Sequence, residues 1–136
     1  MTYQNLISGL TLLAVSAVAT ADEIKLELNK LEPQPNACRA YLVFDNSSGS
    51  AIDALLLDLI LFDRDGVIAR RLAVDTAPLR AAKMTVKLFE IPDLACADIG
   101  RILVNEVLDC RDANGEHDDC IERLSVSSRA DAELLR

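Results

Sequence analysis

The chain has no tryptophan, two tyrosines, three phenylalanines and one histidine, His117, in 136 residues. So few rings leave little to stack on sugars or bases, and one imidazole leaves little material for acid/base catalysis. Basic residues are also in deficit, 14 against 22 acidic ones, for a formal charge of −8. Nucleic acid and anionic membrane surfaces both need cationic protein faces, so neither is expected as a partner. No internal repeat and no low-complexity linker divides the chain. Its length suits one domain with one buried core.

Charge of either sign is missing from residues 1–21. Leu6 to Val15 is apolar over the length of a secretory signal core. Small residues follow and end in Ala19-Thr20-Ala21, an A-x-A cleavage site. The segment reads as a signal-peptide helix cleaved after Ala21, although no basic stretch precedes it. Left uncleaved, it is the chain's one expected membrane contact, since 21 uncharged residues just span a bilayer. Its small and hydroxylated residues make it a poor anchor. Export places residues 22–136 in the periplasm.

The four cysteines, Cys38, Cys96, Cys110 and Cys120, form no C-x₂₋₄-C pair, which excludes the usual zinc arrangements and the redox C-x-x-C motif. An even set in a small exported domain is expected to be disulfide-bonded. Three connectivities are open. Cys110 and Cys120 bracket a polar, turn-rich stretch that would bring them together as a hairpin loop, leaving Cys38 for Cys96.

The mature chain alternates in the manner of a half-buried sheet. Ile24 to Asn29 is apolar-polar throughout, and Glu32-Pro33-Gln34-Pro35-Asn36 is expected to end that strand. Cys38 to Asp45 places Cys38, Ala40, Leu42 and Phe44 on one face. Ala54 to Phe62 is nearly all apolar, and Asp65-Gly66 after it signals a hairpin returning over Val67 to Val74. A strand from Met84 to Phe89 follows, then a short helical turn capped by Asp93 and ended by Gly100. Ile102 to Leu108 is β-rich, with a bulge around Asn105-Glu106. Ile121 to Ser127 is expected to pair with it, and the polar tail 129–136 to fray. The fold class is therefore all-β: an immunoglobulin-like antiparallel sandwich of about seven strands over 22–128.

The stretch Leu59-Ile60-Leu61-Phe62-Asp63-Arg64-Asp65-Gly66-Val67-Ile68-Ala69 resembles the FxLyD-type immunoglobulin-like modules of exported bacterial proteins. In those modules a hydrophobic strand runs into Phe/Tyr-Asp-x-x-Gly and a second strand. Most of the mature chain is similar to small proteobacterial exported proteins labelled "Tat pathway signal sequence domain protein". The stretches that carry this are Cys38 to Val43, Asp63 to Ala73, Lys87-Leu88-Phe89 and Leu94 to Arg101. The resemblance implies fold and compartment and assigns no activity. No twin arginine precedes the apolar segment, and Arg70-Arg71 lies too deep in the domain to act as an export signal.

Few single residues carry chemistry. His117 lies among Glu116, Asp118 and Asp119 with no evident nucleophile, and reads as a solvated loop residue. Asp112, Asn114, Glu116 and Asp118 are weak candidates for a calcium site, because the EF-hand pattern fails at both ends of the loop. No cofactor is expected. Asp58, inside an apolar strand, is expected to face outward; if buried, it requires Arg70 or Arg71 as partner. The charge distribution says more. Arg64, Arg70, Arg71, Arg80, Lys83 and Lys87 meet only Asp65 and Asp75, a net +4 in a chain whose remainder carries −12. Arg70, Arg71, Arg80 and Lys83 thus form a possible partner face, weighed against ordinary edge-strand protection. The expectation is a non-enzymatic envelope module that binds another protein. The alternative is a calcium or small-ligand binder using loop 111–119.

Overall fold

The computed structural model describes residues 12–16 and 23–136. Residues 12–16 form no helix; the remainder of the expected signal helix, including the cleavage site, lies outside the described residues. The rest is an all-β sandwich. Its strands are β1 (Ile24–Gln34), β2 (Ala37–Asp45), β3 (Ala54–Phe62), β4 (Ile68–Asp75), β5 (Met84–Pro92), β6 (Arg101–Asp112), β7 (Gly115–Glu116), β8 (Leu124–Ser128) and β9 (Glu133–Leu135). One sheet runs β5-β2-β1-β8; the other runs β4-β3-β6, with β7 and β9 both pairing β6.

Alternation sets the core. Ile24, Leu26 and Leu28 of β1 and Cys38, Ala40, Leu42 and Phe44 of β2 face Leu55, Leu57, Leu59 and Leu61 of β3, all of them buried. Burying a leucine of this kind contributes about 2 kcal/mol, so β3 alone supplies a large share of the driving force. The β3–β4 hairpin turns where Asp65-Gly66 foretold it. Gly66 takes φ +79°, and the Asp63 carboxylate accepts from the backbone N–H groups of Asp65 and Val67, each at 2.9 Å. The bulge also falls in place: the β3–β6 register slips past Asn105, and again past Leu108.

Several expectations need correction. β1 continues through Pro33 to Gln34, because only β2 flanks it there and the missing proline N–H faces a free edge. Cys120–Arg123 is a single helical turn, and β8 leaves the β6 hairpin altogether. It pairs in parallel with β1 in the opposite sheet, Ile24 opposite Leu124, so the sandwich is not purely antiparallel. The tail does not fray. β9 pairs in parallel with β6, and Ala132 and Leu134 are buried in the core. Ala95, not Asp93, precedes the 3-10 turn Cys96–Asp98, and no side chain caps it. Gly100 is required for another reason: a Cβ there would stand 2.6 Å from the Asp63 carbonyl oxygen.

Both disulfides pair as favoured, Cys38 with Cys96 and Cys110 with Cys120, and among the described residues no cysteine is free. The first ties β2 to the crossover between the sheets. The second ties β6 to the turn that leads into β8. Two structural disulfides are compatible with an oxidising, exported compartment.

Candidate functional site

The two sides of the sandwich differ. On one, β9 beside β6 packs against β8 and β1, so the chain's last residues close it. On the other, β4 and β5 are the outermost strands of their sheets, and among the described residues no strand pairs either one's far edge. The loop 76–83 joins them. It is firmly held: buried Thr76 donates its hydroxyl to the Leu55 carbonyl at 2.8 Å, and Leu79 exchanges two backbone hydrogen bonds with Ile52. Asn46, fully buried, donates its side-chain amide to the carbonyls of Ser50 (2.8 Å) and Arg80 (3.1 Å), and its backbone N–H to that of Lys83 (3.1 Å). A buried amide that clamps two loop carbonyls makes the loop a platform for the exposed Arg80 and Lys83 side chains.

The predicted cationic face is divided by this geometry. Neighbouring residues on a strand point to opposite faces, so Arg70 lies on the inward face of β4 with Leu72 and Val74, and Arg71 on the outward face. Arg71 is engaged within the fold. Asp58 occupies the outward face of β3, as expected, yet is only 2% exposed. Arg71 covers it with a two-pronged ion pair, Nε to Oδ1 at 2.8 Å and Nη2 to Oδ2 at 2.9 Å, and Asn105 donates to Oδ2 at 2.9 Å. Asn105 reaches it because the bulge re-aims that side chain. First the Arg71 guanidinium and then the Asn105 amide hold the Asp58 carboxyl below its ordinary range.

The other cations of the stretch are not neutralised in this way. Among the described residues no carboxylate lies within 4.0 Å of the charged groups of Arg64, Arg70, Arg80, Lys83 or Lys87. Arg64 donates to the Ala97 carbonyl at 2.8 Å, Arg70 to that of Asp93 and Lys87 to that of Ala77, each at 3.4 Å. Elsewhere Lys30, Arg39, Arg111 and Arg129 all pair with carboxylates. Of the five without such a partner among the described residues, Arg70, Arg80, Lys83 and Lys87 lie on β4, on β5 or on the loop between them, so the open side carries four cations without a carboxylate partner.

Sequence reasoning missed the surface beside it. The register with β2 sets Thr85 opposite Phe44, Lys87 opposite Leu42, Phe89 opposite Ala40 and Ile91 opposite Cys38, so this row of β5 faces inward. Met84, Val86 and Leu88 are turned out, 60%, 54% and 52% exposed. Ile91, fully buried, continues the odd-numbered row and is the signal that could have assigned the faces.

The acidic loop is internally committed. Oδ1 of Asp112 accepts from the Asn114 backbone N–H at 2.8 Å and lies 2.8 Å from Nε2 of His117. That imidazole and that N–H, in this order, keep the Asp112 carboxyl below its ordinary range. Glu116 stands across the hairpin from Arg111, and Asp118 precedes the Cys120 turn. Among the described residues no group of three or more His, Cys, Asp or Glu side chains is arranged to hold a metal ion.

Searches of protein-family models, curated proteins and solved structures found no match to this chain.

Proposed function

We propose that this chain is a non-enzymatic β-sandwich binding module of the bacterial periplasm, exported by a signal peptide cleaved after Ala21, and that it docks an acidic envelope protein through its β4–β5 side. One observation carries the reading: among the described residues, Arg70, Arg80, Lys83 and Lys87 lack carboxylate partners on this side, two of them on a pinned loop, in a chain of net charge −8 whose Lys30, Arg39, Arg111 and Arg129 all pair with carboxylates. Unpaired charge on a rigid surface attracts a partner of opposite sign and sets the encounter rate. Of the four residues first grouped as the face, Arg71 serves Asp58. Arg70, Arg80 and Lys83 remain, joined by Lys87. Two disulfides, each closing part of a small core, suit the periplasm. In the stretch Leu59 to Ala69, on which the FxLyD-type resemblance rests, Asp63 organises the turn backbone and Gly66 supplies the positive φ.

Cross-linking in the intact envelope tests the reading, with Arg80→Glu/Lys83→Glu as the comparison. A specific, salt-sensitive partner captured by the parent protein and lost from the charge-reversed protein is the expected result. Equal capture by both would remove this face from the proposal. N-terminal sequencing of the exported protein should begin at Asp22.

A further inference from the structure

We infer that the acidic partner is held by strand addition: an extended segment of it pairs with the free edge of β5 and becomes the fifth strand of the β5-β2-β1-β8 sheet. This rests on the proposed docking of an acidic protein and specifies how that docking is made.

Three observations converge. First, β5 offers a long, regular edge. It pairs with β2 over nine residues with no register shift, and no other described strand, loop or side chain hydrogen-bonds the backbone of Met84–Pro92. Such an edge is a template for another strand unless something blocks it. Second, the outward row Met84, Val86 and Leu88 is apolar and more than half exposed. A strand laid beside β5 would set its own outward side chains against this row as cross-strand neighbours, so apolar residues at alternate positions fit. Third, the inward row at the same edge carries Lys87, and Arg70 occupies the inward face of the edge strand β4. Neither has a carboxylate partner, and both reach only backbone carbonyls at 3.4 Å. The other alternate positions of an added strand would meet this charge, so Asp or Glu fits there.

The same cations decide against a second copy of this chain as the occupant. An inward-pointing lysine on an edge strand is a device against edge-to-edge pairing, and β5 against β5 brings Lys83 and Lys87 of both copies to one seam. An acidic strand turns that repulsion into attraction, so one feature both excludes self-association and selects the partner's charge.

The test uses the full chain and a fluorescent, short synthetic peptide of alternating valine and glutamate. Binding is read by anisotropy, together with amide hydrogen exchange in β5. Expected are saturable binding, slowed exchange confined to β5 and its neighbour β2, and about tenfold or greater loss of affinity when alternate peptide nitrogens on the pairing edge are methylated. Replacing the glutamates by lysine, or introducing Arg80→Glu/Lys83→Glu, should also weaken binding. Equal binding by the methylated peptide would overturn strand addition while leaving the acidic-partner reading intact. Indifference to peptide charge and to charge reversal of the protein, with envelope capture also unchanged, would overturn both. Slow β5 exchange without peptide, in a protein that sediments as a dimer, would identify a second copy as the occupant and overturn the inference.

Discussion

Removing the two disulfides separately should expose a difference set by loop length. Cys38 and Cys96 are 58 residues apart, Cys110 and Cys120 only 10. In the chain-entropy treatment the longer closure contributes about 4 kcal/mol and the shorter about 3 kcal/mol. Packing works in the opposite direction, because Cys110 and Cys120 are both buried while Cys96 is only partly so. A larger cost for the long loop would therefore reflect chain constraint rather than lost contacts. The comparison is Cys38→Ala/Cys96→Ala against Cys110→Ala/Cys120→Ala, each measured by urea unfolding under oxidising conditions. The long-loop variant should be the less stable by about 1.5 kcal/mol. A cost for the short loop equal to or above that for the long one would refute the entropic account. Together the two bonds amount to about 7 kcal/mol, comparable with the whole stability of an ordinary domain, so reductant should unfold the parent protein near room temperature. Opening the Cys38–Cys96 bond should also speed amide exchange in β5, whose end lies just before that staple.

Other outcomes follow from particular contacts. Gly100→Ala must displace the Asp63 carbonyl, now 2.6 Å from the new Cβ, and should cost about 2 kcal/mol in a thermal melt. Asp58→Ala should cost about 2 kcal/mol, since it removes the charge-assisted hydrogen bonds that Arg71 and Asn105 donate to its carboxylate. The Asp58 carboxyl is held lower in the folded than in the unfolded chain, so its stabilisation is full above the ordinary carboxylate pKa. It is lost as pH falls through the lowered folded value, and urea unfolding of Asp58→Asn should show a shallower fall there. Leu57→Ala in the core should cost about 3 kcal/mol, whereas exposed Leu88→Ser should change stability by less than about 0.5 kcal/mol while weakening peptide binding.

Local patterns made much of the sandwich legible in advance. The β3–β4 hairpin was visible because Asp-Gly and alternation act over a few residues, and the bulge at Asn105 because the alternation itself slips there. The destination of β8 was not. Adjacency in sequence favours a hairpin with β6, and nothing local in Leu124–Ser128 indicates parallel pairing with β1. Asp58 shows a different limit. Its outward direction followed from strand periodicity, but its burial depends on Arg71 across the hairpin and on a bulged asparagine two strands away from β4. The candidate site divides similarly. Net charge along the stretch was readable, whereas Arg70 and Arg71 fall on opposite faces, and the apolar row on β5 depends on its register with β2.

The parallel pairing of β1 with β8 has a consequence for the order of events. Ile24, Leu26 and Leu28 belong to the first strand, yet they acquire their outer neighbour only when Leu124 to Ser128 has arrived. β9 then brings Leu134 into the core from the last few residues. Contacts this distant along the chain form late and slowly. The domain latches β1 to strands about a hundred residues away, so the outer edge of β1 stays unpaired until Leu124–Ser128 is in place.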